Sequence, residues 1–221
     1  MIIFMVTGST MLIICSPTAS KSVPSRVVII HSSDSATAPF PLLVFSKAAG
    51  ARSYVVERRL NSGTGFDSIG TTADTTYTDV DTSLLPETIY FYKVKARNAD
   101  GDGLFSDSVS ALTPPFMILS PRQGDVFRIG DTIHALVKTS IPTSGGIKFG
   151  EGLNEITPPG ITGTLSFYQS LVVSFQIPAT IMPFGATTPV SAVSDSCYMR
   201  IFDYGTLETI AYSYGYFKVT N

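Results

Sequence analysis

Within the stretch Leu85–Gly103 the chain alternates with a period of two. Tyr90, Tyr92, Val94 and Ala96 share one parity, while Lys93 and Lys95 fall on the other. Such alternation predicts a strand with one dry and one wet face. Leu85-Pro86-Glu87-Thr88 leads into it as a proline corner, and Ala99-Asp100-Gly101-Asp102-Gly103 leads out as a glycine turn. Shorter runs repeat the pattern upstream. Leu43 pairs with Phe45, Tyr54 with Val56, and Tyr77 follows, with Glu57, Thr76 and Thr78 on intervening positions. No long window keeps a 3.6-residue apolar period, because Gly, Pro, Ser and Thr interrupt every candidate helix. The expectation is an all-β fold of short strands in sheets packed face to face.

Pro114-Pro115 divides the pattern. Before it lie about seven short strands. After it, Phe116-Met117-Ile118-Leu119-Ser120-Pro121 opens a new set. We read two tandem β-sandwich domains, 24–113 and 116–221, joined by a short stiff linker at 114–115. The stretch 139–190 is rich in Pro, Gly, Thr and Ser, and its course is not legible.

Residues 24–113 resemble a fibronectin type III domain. The resemblance is carried by Pro41-Leu42-Leu43-Val44-Phe45-Ser46, Gly50–Arg58, Thr75-Thr76-Tyr77-Thr78-Asp79, and the strand from Tyr90 onward with Phe105-Ser106 after it. Phe45 stands where that family usually has tryptophan. The resemblance implies that Tyr90 forms a tyrosine corner, its hydroxyl bonding backbone a few residues upstream. Residues 116–221 resemble an immunoglobulin-like module of yeast cell-wall assembly proteins and bacterial surface proteins. That likeness rests on Ser120-Pro121, Gly124, Gly130-Asp131-Thr132 and the closing segments Cys197–Asp203 and Ala211–Val219.

The N-terminus bears on location. Met1–Val6 and Met11–Cys15 are apolar, broken by Thr7-Gly8-Ser9-Thr10, and too short to span a bilayer. Pro17-Thr18-Ala19-Ser20 offers small residues suited to cleavage, so 1–20 reads as a signal peptide, although no Lys or Arg precedes Lys21. The alternative is a buried or donated β-strand. The expected location is secreted, extracellular or cell surface. A net charge of −2, with neither sign in a run, gives no footprint for nucleic acid or an anionic membrane.

Candidate chemistry is sparse. His31 and His134 fall on strands, where surface positions are expected. Cys197 shares parity with Met199 and Ile201, which predicts a buried, inert thiol. Asp79 and Asp81 sit at a turn, where carboxylates usually bond backbone amides. Asn98-Ala99-Asp100-Gly101-Asp102-Gly103 begins like a calcium loop, but Val109 occupies the twelfth position, where glutamate is needed. The reading is therefore a hairpin turn whose glycines supply positive φ, with no catalytic residue, no metal site and no cofactor.

One surface feature stands out in the closing hairpin. If Cys197, Met199, Ile201, Phe217 and Val219 point inward, then Tyr198, Arg200 and Phe202 point outward on one strand. Tyr212, Tyr214 and Tyr216 then point outward on its partner. These six are the candidate binding residues. The expected function is a non-catalytic structural or adhesive protein, as a subunit of an extracellular assembly or filament, whose partners are other proteins or copies of itself. The alternative is an accessory carbohydrate- or cell-wall-binding module. The chain has no tryptophan, which sugar platforms favour, and this tilts the reading toward protein.

Overall fold

The structure is a computed structural model that describes residues 3–7, 10–14, 22–32, 40–151, 154–157, 165–182, 186–203, 206 and 209–221. The described residues form twenty strands and no helix. β1 (Ile3–Thr7) and β2 (Thr10–Ile14) pair as an antiparallel hairpin with Thr7 opposite Thr10. Cys15 and the cleavage segment at 17–20 lie outside the described residues.

Eight strands build the first sandwich. They are β3 (Ile29–Ser32), β4 (Leu42–Phe45), β5 (Ser53–Leu60), β6 (Asp67–Thr72), β7 (Thr76–Thr78), β8 (Ile89–Asn98), β9 (Gly101–Asp102) and β10 (Val109–Leu112). One sheet runs β3-β4-β7 and the other β10-β8-β5-β6, with β9 pairing β8. This is the two-sheet sandwich that the fibronectin type III resemblance implies. The alternating positions become its core: Leu43, Phe45, Tyr54, Val56, Tyr92, Val94 and Ala96 are buried together. Phe45 meets Tyr54 edge-on at 4.9 Å between ring centroids, so one smaller ring fills the expected tryptophan place.

The tyrosine corner is present. The Tyr90 hydroxyl accepts the Leu85 N–H at 2.9 Å. Tyr90→Phe removes that acceptor and should lower stability by about 1 kcal/mol. An unchanged urea midpoint would remove the corner from the account.

The second set comprises β11 (Phe116–Ser120), β12 (Val126–Arg128), β13 (Thr132–Glu151), β14 (Asn154–Ile156), β15 (Leu165–Gln176), β16 (Thr180–Ile181), β17 (Val190–Ser191), β18 (Ser194–Asp203), β19 (Thr209–Tyr212) and β20 (Phe217–Thr220). β13 explains the illegible stretch. Its first part pairs β11 and β15, and from Gly145 onward it pairs β18 and β14. A register shift between Thr139 and Thr143 marks the change. Thr-Ser-Ile-Pro-Thr-Ser-Gly-Gly reads as loop but is the irregular segment through which one strand exchanges its neighbour β11 for β18 within a single eight-stranded sheet. Ile133, Ala135, Val137, Val173 and Phe175 share the resulting core with Ile147, Phe149, Cys197, Met199, Ile201, Phe217 and Val219.

Both prolines of the 114–115 segment are tied to neighbouring backbone. The Pro114 carbonyl accepts the Glu87 N–H at 3.2 Å and the Pro115 carbonyl accepts the Ser140 N–H at 3.0 Å. β11 then feeds both cores at once. Met117 and Leu119 belong to the first, while Ile118 belongs to the second. Polar contacts reinforce the junction. Lys138 Nζ donates to the carbonyls of Thr82 (2.7 Å) and Leu84 (3.0 Å), and Arg122 donates to the Val80 carbonyl at 3.0 Å.

Candidate functional site

Strand pairing places the six candidate residues, and it separates one of them from the rest. Arg200 lies opposite Tyr212 and Cys197 opposite Phe217. Between these pairs, two residues of β18, 198 and 199, therefore face four on its partner, 213–216. The extra length is taken up between Ser213 and Tyr216, where Gly215 adopts φ 65°. Glycine tolerates that conformation without strain. Ser213 tucks inward, donating its N–H to the Met199 carbonyl (2.8 Å) and accepting the Met199 N–H on its hydroxyl (3.1 Å).

Tyr214 corrects the expected parity. It turns away from the face and joins the first core, edge-on to Phe40 at 5.4 Å. Its hydroxyl donates to Thr78 Oγ1 at 3.2 Å. The Gly215 excursion is the physical reason, since two extra residues break simple alternation. Tyr214 is thus part of the junction between the cores.

Tyr198, Tyr212 and Tyr216 do converge. The Tyr198 ring lies 5.8 Å from that of Tyr212 and 6.4 Å from that of Tyr216, at interplanar angles of 65° and 61°. Tyr212 is 51% exposed and Tyr216 60% exposed. With Ser213 and Gly215 they line an open depression of about 510 Å³. Its walls are ring edges and faces set at steep angles, so it is a cup rather than a flat platform.

Arg200 and Phe202 lie alongside, with Arg200 already engaged. Its guanidinium grips Glu155 with two hydrogen bonds, of 2.7 and 2.6 Å, and donates to Thr209 Oγ1 at 2.9 Å. The Tyr198 hydroxyl also donates to Glu155. Gly150 stands between Glu155 and Tyr198 in the cross-strand row, and its missing side chain lets the two meet over it. Burial pushes the Tyr198 hydroxyl well above the ordinary tyrosine range, and the Glu155 carboxylate adds to the effect. Burial also works against the Glu155 charge, yet the Arg200 and Tyr198 hydrogen bonds outweigh it and hold the carboxyl below its ordinary range. At neutral pH the site therefore has a neutral tyrosine locked to an internal ion pair. Phe202 is half-buried, with the Lys148 ammonium 5.8 Å and the Arg200 guanidinium 5.5 Å from its ring centre. Glu155 and Lys148 were not legible as site residues, because both fall in the stretch that reads as loop.

The other candidates are engaged elsewhere. Cys197 is buried, and that burial pushes its thiol up to about 11. His134 Nδ1 lies 2.8 Å from Ser174 Oγ on the exposed side of its strand. His31 is placed on β3, and its side chain lies outside the described residues. In the calcium-like loop, Asn98 Oδ1 accepts the N–H groups of Asp100 and Gly101. Asp102 pairs with Arg97 and Lys95. Gly101 has φ 142°, whereas Gly103 is required for a different reason: a Cβ there would sit 2.5 Å from the Pro24 carbonyl oxygen. Asp79 and Asp81 do bond the turn, accepting the N–H groups of Asp81 (3.2 Å) and Ser83 (2.7 Å). Asp79 also binds Arg58 and Tyr92, which the turn reading did not foresee. Among the described residues no three His, Cys, Asp or Glu side chains gather as a metal site, and no helix is long and apolar enough to cross a membrane.

No family model and no curated protein matches the chain. Among solved structures, it is similar to a Fn3-like protein from Clostridium thermocellum. That match has 27% identity, covers 43% of this chain and 96% of that one, and has a TM-score of 0.34. The fibronectin type-III domain of human fibronectin type III domain containing protein 3 is 27% identical, with 49% and 98% covered and a TM-score of 0.32. The FN1-FN3 domains of chicken CNTN1 match more of the chain, 89% against 65% of their own length, at 12% identity and a TM-score of 0.36.

Proposed function

We propose that this chain is a non-catalytic structural or adhesive protein of the cell exterior, which binds another protein through the cup of Tyr198, Tyr212 and Tyr216. In this reading, residues 24–113 and 116–221 are two modules. The second is immunoglobulin-like, a reading supported by the parallel pairing of β12 with β20 at its start and end. The N-terminal apolar segment supports export.

The single observation that carries the proposal is the exposed, convergent set of three tyrosine rings. Aromatic side chains left in the open are enriched at protein interfaces, where a large ring and a polar tip serve together. The ring geometry favours protein over carbohydrate. The Tyr198 ring is crossed at 61–65° to both of the others, so the three do not form one continuous flat platform of the kind that sugars stack on. They suit a protruding side chain that meets one ring's face and another's edge. The Arg200–Glu155 pair, already neutralised internally, holds Tyr198 in place as the fixed wall.

The test is capture from a surface extract of the native source on immobilised protein, compared with pelleting on insoluble polysaccharides. We expect a protein partner, retained by wild type and reduced at least about tenfold by Tyr212→Ser/Tyr216→Ser, as loss of two anchor residues predicts. Both side chains are exposed, so the variant's melting midpoint should be unchanged. Pelleting with polysaccharide that the same substitutions abolish would overturn the protein reading.

A further inference from the structure

We infer that the outer edge of β15 is where two copies of this chain join, β15 of one pairing antiparallel with β15 of the other. β15 has twelve residues, Leu165–Gln176, and is paired along one side with β13. Among the described strands, none pairs with its other side. From Gln169 to Gln176 its register with β13 is unbroken, so this part of the ladder is regular and free of bulges. Such an edge presents a row of backbone N–H and C=O groups ready to accept a further strand.

Edges are normally blunted by shortness, lysine, proline or a bulge. β15 has none of these along its regular stretch, and LSFYQSLVVSFQ contains no charged residue, glycine or proline. Several other outer strands are blunted. β7 and β12 have three residues each, β10 has four, β6 carries Asp67 and β14 carries Glu155.

The composition also selects the occupant. When identical strands pair antiparallel about a two-fold axis, the residue on the axis meets its own copy and every other residue meets the one equally far beyond the axis. A charged strand would then oppose like charge, whereas this one meets itself without repulsion. Its solvent face carries Ser170, Val172, Ser174 and Gln176, all exposed, and Val172 is 58% exposed. With the axis at Val172, self-pairing sets that β-branched side chain against its own copy and Ser170 against Ser174. A charged partner strand would find no counter-charge on β15. The inference does not depend on the tyrosine cup, which lies on β18 and the segment joining β19 to β20.

Sedimentation equilibrium of the full chain, with hydrogen exchange followed over a wide concentration range, tests it. The expected result is a reversible dimer in which alternate amides of 169–176 exchange more slowly as concentration rises. Ser170→Lys/Val172→Lys places like charges across the joint and should weaken the dimer by about tenfold or more. Both positions are exposed, so the circular dichroism spectrum should not change. If the lysine pair proves unfolded, the concentration dependence of exchange at 169–176 in the unaltered chain decides alone. Tyr212→Ser/Tyr216→Ser should dimerise as wild type does, which separates this inference from the proposed function. A chain beginning at Lys21 should also dimerise normally. A full chain that stays monomeric, a dimer indifferent to a folded lysine pair, or a dimer lost on removing residues 1–20 would overturn the inference.

Discussion

Replacing Asp79 with alanine is expected to destabilise the first sandwich by about 3–5 kcal/mol, the usual cost of removing one partner from a buried ion pair. The Asp79 side chain is 1% exposed and the Arg58 side chain 12% exposed. Asp79 Oδ2 accepts from Arg58 at 2.8 Å and from the Tyr92 hydroxyl at 2.9 Å. Without the carboxylate, Arg58 keeps Ser83 Oγ at 2.9 Å and the more distant Asp81 at 3.9 Å. Tyr92 is fully buried and loses its acceptor. The penalty is therefore mainly two stranded polar groups rather than one lost attraction. It follows that Arg58→Met/Asp79→Leu/Tyr92→Phe should recover most of the loss, since apolar replacement of a whole buried network is often near neutral. Urea denaturation measures both variants. A loss below about 1 kcal/mol for Asp79→Ala would mean the pair behaves as an exposed one.

Leu119→Ala is the second large effect, expected at about 2–5 kcal/mol for a fully buried leucine. Its consequence should reach beyond the local cavity. Leu119 is packed in the first core while Ile118, the next residue back, is packed in the second. One strand thus holds both, aided by Tyr214 against Phe40 and by Lys138 on the carbonyls of Thr82 and Leu84. The unaltered chain should melt in a single calorimetric transition. Leu119→Ala should lower that transition and split it, the first sandwich unfolding earlier. Two transitions already present in wild type would contradict the coupling.

The first sandwich was largely legible because its strands alternate cleanly. Parity alone located Tyr90, Tyr92, Val94 and Ala96 in the core. The Asp79 network was not read, although a signal for it existed. Arg58 shares the parity of Tyr54 and Val56, so a charge falls on a dry face, opposite Tyr92 on the neighbouring strand. A buried tyrosine and a dry-face arginine both demand a partner. The carboxylate lies 21 residues from Arg58, a separation that local pattern cannot bridge.

The candidate site was legible in part. Parity holds along β18, so Tyr198, Arg200 and Phe202 could be placed together. It fails across Gly215, where the chain takes an excursion and Tyr214 is drawn to Phe40. Glu155 was hidden for another reason. The residues before it look like turns, yet they carry β13 across a register shift from one neighbour, β11, to another, β18. Alternation reports which face a residue occupies within one strand, but it does not report where a strand changes neighbours.

The most direct test of the account is hydroxyl-radical footprinting of the chain alone and bound to the protein partner it captures. Binding at the cup predicts that Tyr212 and Tyr216, the exposed rings, become protected, while half-buried Tyr214 changes little. Tyr212 and Tyr216 remaining as reactive as in the free chain, with protection elsewhere, would contradict it.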